Sequence, residues 1–222
     1  MLNRFRMIQR NFGLIGAAGF LISVFAISIL NWHGAHLTIS QHIALSTVSM
    51  VLFGLINTIA TTLIAICLFS YIAKRWKFGK IFRFLASILI AGLYLVGWFP
   101  DQFNNVASSI IHNVSAFVIF TVAAVMVATL GALLWDRTNI VLKISVGAFV
   151  VAGLFGVVTA SFFFEFFGDN IFWVESFYMI TFYTFILSMV YSKDLSRKSF
   201  FKKYFHNIEK HLNKLIFKHD VK

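Results

Sequence analysis

Residues 12–31 read FGLIGAAGFLISVFAISILN, an apolar stretch without a single charged side chain. An α-helix rises about 1.5 Å per residue, so a stretch of this length matches the roughly 30 Å hydrocarbon layer of a bilayer. The preceding residues carry Arg4, Arg6 and Arg10, as the start of a signal peptide does. However, the run is longer than a signal-peptide core and no small-x-small cleavage site follows it. It therefore predicts an uncleaved first membrane span.

Five further apolar stretches follow, and together the six predict an all-α integral membrane protein, a bundle of six transmembrane helices. The chain is 59% hydrophobic with a mean hydropathy of +0.85, whereas soluble domains are about 45–50% apolar. Strands are not expected, because a lipid-exposed strand leaves its backbone groups unpaired. We predict one transmembrane domain over residues 1–192. Its spans are predicted at 12–31, 43–73, 81–99, 110–135, 140–164 and 171–191.

The 19 Lys and Arg residues all lie in, or at the border of, the hydrophilic segments that six spans would place on one side. The segments on the other side carry histidines and carboxylates but no Lys or Arg. Short loops rich in Lys and Arg stay in the cytoplasm. The pattern thus predicts a multi-pass protein of the cell membrane, of bacterial cytoplasmic type, with both termini in the cytoplasm. The net charge of +11 then reflects anionic lipid at the membrane surface and not nucleic acid.

Residues 193–222 differ from the rest of the chain, because basic residues alternate there with apolar residues at helical spacing. This tail predicts an amphipathic cytoplasmic helix that lies on the membrane interface. A membrane-protein partner is the alternative surface on which this helix could bury its apolar stripe. The lysines predicted to bind lipid headgroups are Lys202, Lys203, Lys210 and Lys214.

The candidate functional residues are Asp101, His112 and Glu175, on the outer side of the predicted topology. Pro100 ends the third span, and the chain reverses before His112 opens the fourth, so Asp101 and His112 are expected at the same outer mouth. Glu175 begins the sixth span at a comparable depth. Ionisable groups at a membrane edge are costly and are usually paired or functional. The sequence therefore predicts a polar cleft at the outer leaflet.

Three interpretations of this cleft remain open. Asp101 and His112 could form a hydrogen-bonded structural clamp between two spans. Carboxylates and histidines could instead bind Zn²⁺, which would activate water for lipid hydrolysis or transfer, although no HExxH-like spacing is present. His112 and Glu175 could also titrate together in a small proton-coupled transporter. The histidines considered as metal ligands are His33, His36, His42 and His112.

We favour a protein that is not an enzyme and that binds lipid or a membrane partner at the polar cleft. Uncharged polar and small residues within the spans are expected to mediate helix packing. Cys67, the single cysteine, is expected to be a buried packing residue. The polar packing residues are Asn57, Thr58, Thr61 and Thr62, and the small ones are Gly13, Gly16, Ala17 and Gly19.

Two short motifs support a family resemblance. Gly97-Trp98-Phe99-Pro100-Asp101, followed by His112-Asn113-Val114-Ser115-Ala116, resembles the bacterial six-span family known as domain of unknown function nine-nine-eight. Glu175 also fits that pattern, but Ser176 stands where the family usually has a basic residue. The resemblance covers about residues 12–191. It implies a six-helix fold and highlights Asp101, His112 and Glu175, but it implies no activity.

Overall fold

The computed structural model describes residues 2–73, 80–102, 104–134, 140, 143–151, 153 and 164–191. Within these ranges the regular structure is helical and no strand occurs. The helices are α1 (Leu2–Leu30), α2 (Ile39–Ala44), α3 (Thr47–Ile66), α4 (Lys80–Trp98), α5 (Val106–Leu134), α6 (143–151) and α7 (Phe164–Tyr191). A π-helical turn over Cys67–Ile72 extends α3.

Four helices in the described ranges are long and apolar enough to cross a membrane: Met7–Leu30, Thr47–Ile72, Val106–Thr129 and Asp169–Ser188. A fifth apolar helix, Phe82–Trp98, is shorter. Their outward faces expose large apolar side chains, which would be unfavourable over so wide a surface in water. Representative residues are Ile22, Ile59 and Phe117. This surface is consistent with a membrane protein.

The helices pack around one apolar core. Helix α1 runs along α3, α4 packs against both α3 and α5, and α7 contacts α1, α2 and α5. The short α2 lies at one end of the bundle, in contact with α1, α3 and α7. We call this end, formed by α2 and the segments 31–38 and 99–105, the capped end.

The structure divides the stretch predicted as the second span. Ser46 has an extended backbone (φ −136°, ψ 127°) and its hydroxyl accepts the backbone N–H of Ser49, so a new helix begins at Thr47. Residues before this break belong to α2, which has its own N-cap at Thr38. The predicted span 43–73 therefore becomes a membrane-length helix over Thr47–Ile72 and part of a separate cap.

Close approach of α1 and α3 depends on two of the glycines that the sequence singled out. A Cβ atom on Gly16 would lie 2.7 Å from the carbonyl oxygen of Ala60, and one on Gly13 would lie 3.0 Å from Cys67 Cβ. Ala17 is fully buried, but Gly19 has no atom within 4 Å of such a Cβ. The packing prediction is thus confirmed for all of these positions except Gly19.

Three of the four polar residues predicted to mediate packing bond from α3 across to α4, whereas the Thr61 hydroxyl donates to Asn57 Oδ1 within α3 at 3.3 Å. The Asn57 amide donates to the Leu93 carbonyl at 2.7 Å, and the Trp98 indole N–H donates to the Thr58 hydroxyl at 2.9 Å. The Thr62 hydroxyl lies 2.7 Å from the Tyr94 hydroxyl. These bonds hold the two helices in register, and α4 leads directly into the capped end.

Parts of the predicted architecture lie outside the described residues. They are the remainder of the span predicted at 140–164, the tail 193–222, and the candidate lipid-binding residues Lys202, Lys203, Lys210 and Lys214.

Candidate functional site

Helix α2 is held at the capped end by two carboxylates, one from α7 and one from the segment 99–105. The Glu175 Oε2 atom of α7 accepts the backbone N–H of Ile39, the first residue of α2, at 2.9 Å. Asp101 Oδ2, just after α4, accepts the Gln41 side-chain amide at 3.0 Å. A capping box orients Gln41, because its Oε1 accepts the Thr38 N–H at 2.9 Å while its own N–H donates to the Thr38 hydroxyl. Helix α2 is therefore fixed from two sides.

A break in α7 produces a reciprocal contact with the segment that precedes α2. Asn170 has non-helical angles (φ −126°, ψ 16°), so the helix effectively restarts after it. A helix start leaves backbone N–H groups without intrahelical acceptors. One of these, the N–H of Phe172, donates to the Ala35 carbonyl at 3.2 Å. The segment 31–38 thus caps α7, and α7 caps α2 through Glu175.

His42 is fully buried among aromatic rings at the same end. Its ring stacks on Trp32 at 5.1 Å and 16°, and Phe172 meets it edge-on at 5.4 Å. Nδ1 donates to the Thr38 carbonyl at 2.9 Å, whereas Nε2 is buried without a hydrogen-bond partner. His42 is accordingly a packing element of the cap.

His112 joins α5 to the end of α4. Its Nδ1 lies 3.0 Å from the Phe99 carbonyl oxygen. A carbonyl only accepts hydrogen bonds, so Nδ1 carries the proton of the neutral ring and Nε2 is the acceptor nitrogen. The predicted clamp between the two helices is therefore present, but its partner is Phe99 and not Asp101.

The turn between α4 and α5 is closed by further side-chain bonds to the backbone. The Ser108 hydroxyl donates to the Pro100 carbonyl at 2.7 Å, and the Asn105 side chain accepts the Ser108 N–H at 3.0 Å. These bonds fix the direction in which α5 leaves the turn. They therefore fix the position of His112, one turn further along.

Beneath the cap lies a partly open cavity of about 100 Å³. Its wall is largely apolar and comes from α1, α2, α3, α4, α5 and α7, with Phe20, Leu93 and Ala123 as examples. Its polar lining residues are Ser40, His112, Glu175, Tyr178 and Tyr183. A water needs only about 10–15 Å³ of such volume, so the cavity admits a larger occupant.

Tyr183 is the unusual group in this wall. Its side chain is buried and its hydroxyl has no hydrogen-bond partner. Tyr178, by contrast, donates to the Phe120 carbonyl at 3.2 Å. Leaving a buried hydroxyl unpaired costs about 1–3 kcal/mol, so the cavity would gain from an occupant that bonds to Tyr183.

The structure brings the predicted residues to the capped end, where Asp101 and Glu175 hold α2 and His112 bonds to the end of α4. His112 and Glu175 line the cavity, while Asp101 holds the cap. The histidines considered as metal ligands are not brought together at one site. They are His33, His36, His42 and His112. Within the described ranges, no three His, Cys, Asp or Glu side chains form a cluster that could hold a metal ion.

Sequence reasoning did not single out Tyr178 and Tyr183 as site residues. Together with Glu175 they follow the i, i+3, i+8 spacing of one helical face, and that signal was available. It carries little weight alone, because aromatic residues are frequent on every face of these spans.

The resemblance carried by residues 97–101 and 112–116 stays a prediction. No family model, curated protein or solved structure matches this chain.

Proposed function

We propose that this chain is a six-span membrane protein that is not an enzyme and that binds part of the alkyl chain of a membrane lipid in the cavity beneath α2. The single observation that carries the proposal is the cavity itself, with an apolar wall and with Ser40, His112 and Glu175 where it meets the cap. A site for an amphiphile combines these two properties. The unpaired Tyr183 hydroxyl supports the presence of an occupant.

The proposed membrane arrangement follows from charge. Loops rich in Lys and Arg would remain cytoplasmic, which places both termini inside and the capped end at the outer leaflet. Lipid would then reach the cavity from the outer half of the bilayer. The basic tail 193–222 would bind anionic lipid on the inner surface through its lysines.

Filling the cavity is expected to remove co-purifying lipid. Ala123 is buried and lines the cavity, so Ala123→Phe places a ring where the ligand chain would lie. The matched control is Ala124→Phe, because Ala124 is exposed on the other face of the same helix. Lipids extracted from both purified proteins are quantified by mass spectrometry. We expect one lipid class to be depleted in Ala123→Phe and kept in Ala124→Phe. Equal lipid content in both variants would contradict the proposal.

The topology is tested separately with reporter fusions. An alkaline phosphatase domain is active only outside the cytoplasm, and a fluorescent protein is bright only inside. Fused after Asn104, in the turn between α4 and α5, the phosphatase is expected to be active. Fused after Lys222, the fluorescent protein is expected to be bright. The opposite pair of signals would invert the proposed orientation.

A further inference from the structure

The cavity's polar groups restrict the chemistry of its ligand, an inference that rests on the proposed function. We propose that the ligand is a single-chain lipid whose polar group donates hydrogen bonds and has no negative charge, namely an alcohol or an amine. Glu175 and His112 would accept those hydrogen bonds. An anionic phosphate headgroup would be rejected.

The first argument concerns the acceptor atoms. Glu175 Oε2 is occupied by the Ile39 N–H, but Oε1 takes no hydrogen bond from any described residue. His112 donates through Nδ1 to Phe99, which leaves Nε2 as the acceptor in the neutral ring. Both residues line the cavity. The site therefore offers acceptors that a hydroxyl or ammonium group can satisfy.

The second argument concerns charge. None of the described residues that line the cavity is Lys or Arg. Asp101 places a second carboxyl group at the same end of the bundle, where it bonds to Gln41 of α2. Burying a charge without a compensating cation is costly, because the local dielectric constant is low. A phosphate would face two carboxyl groups with no fixed cation from this wall, whereas a neutral or cationic group would not.

The third argument concerns the shape of the apolar part. Glu175, Tyr178, Met179, Phe182 and Tyr183 all line the cavity from one face of α7. The eight-residue separation of the first and the last corresponds to about 12 Å of helix rise. A cavity of about 100 Å³ along such a face is narrow. Because a cavity of about 150 Å³ holds only a benzene molecule, this one takes part of a single unbranched alkyl chain and excludes a fused-ring system.

Photo-crosslinking tests the inference on the full-length protein in phosphatidylcholine nanodiscs. The probe is hexadecanol with a diazirine in mid-chain, and labelled residues are mapped by mass spectrometry. Unlabelled hexadecanol, hexadecylamine and hexadecyl phosphate compete with it. We expect labelling of α5 and α7 residues at the cavity, lost in Ala123→Phe but kept in Ala124→Phe. The alcohol or the amine should compete at a concentration about tenfold lower than the phosphate.

The competitors separate the possible results. If the amine competes more strongly than the alcohol and the phosphate, and this competition weakens in Glu175→Gln but not in Asp169→Asn, the headgroup is cationic. Stronger competition by the alcohol, unchanged in Glu175→Gln, identifies a neutral one. Competition by the phosphate that equals or exceeds both overturns the headgroup inference and leaves lipid binding intact. Labelling that never reaches the cavity overturns the proposed function as well.

Discussion

Gly97→Ala is expected to destabilise the folded protein by about 2 kcal/mol or more. A Cβ atom on Gly97 would lie 2.6 Å from Asn57 Cγ and would overlap the amide nitrogen. Asn57 is fully buried and donates to the Leu93 carbonyl, so it cannot move aside without losing that bond. Overpacking costs about 1–3 kcal/mol and an unpaired buried amide about 1–3 kcal/mol. The gain in helix propensity, up to about 1 kcal/mol, offsets only part of this.

Titration of the detergent-purified protein with sodium dodecyl sulfate, followed by circular dichroism, measures the effect. Gly19→Ala is the matched control, because a Cβ there meets no atom within 4 Å; it should be neutral or slightly stabilising. The double variant Asn57→Ala with Gly97→Ala removes the clashing partner and should be less destabilised than the sum of the two single variants. Similar unfolding midpoints for Gly97→Ala and Gly19→Ala would refute the close packing of α3 and α4.

Glu175→Ala is expected to weaken the attachment of α2 to the bundle. The variant leaves the Ile39 N–H without its acceptor at the start of a helix of only six residues. Such a short helix has little stability of its own, so its position depends on contacts with other elements. Leaving this buried N–H unpaired costs about 1–3 kcal/mol, which should increase transient opening of the cap by about tenfold.

Cysteine accessibility measures that opening. In a Cys67→Ala background, Ile43→Cys introduces a thiol at a fully buried position of α2, and its reaction with a water-soluble maleimide is timed. Glu175→Ala should accelerate the reaction. Glu175→Gln, which keeps an oxygen acceptor, should have a smaller effect, and Asp169→Ala, at an exposed acid of the same helix, none. Equal rates in all four backgrounds would show that Glu175 does not hold the cap.

Hydropathy located the membrane-length helices α1, α5 and α7 and the shorter apolar helix α4 well, because solvation by lipid requires long apolar runs whatever the packing. It did not locate the break before Thr47. Residues 43–73 carry no charged side chain, so hydropathy averaged over a membrane-length window does not separate α2 from α3. The break is visible only in local chemistry, namely the Ser46 cap and the Thr38–Gln41 capping box.

The ionisable residues of the candidate site could be predicted from the sequence, but the contacts and the cavity that they form could not. Asp101, His112 and Glu175 are conspicuous because ionisable groups are rare in such segments. Their partners could not be read from spacing, since Phe99, Ile39 and Gln41 contribute through tertiary contacts. Tyr183 could not be identified as a site residue from the sequence, for a related reason. When every helix face is apolar, periodicity no longer distinguishes a cavity wall from a lipid-facing surface.

The bond between Ile39 and Glu175 joins residues that are 136 positions apart. A ribosome adds about 5–20 residues per second, so Glu175 is synthesised on the order of 10 s after Ile39. During that interval α1 and α3 can enter the bilayer and pair through Gly13 and Gly16, while the N-terminus of α2 still lacks its acceptor. The contact between α2 and Glu175 therefore forms only after α7 has been synthesised, and a nascent chain halted before α7 lacks it.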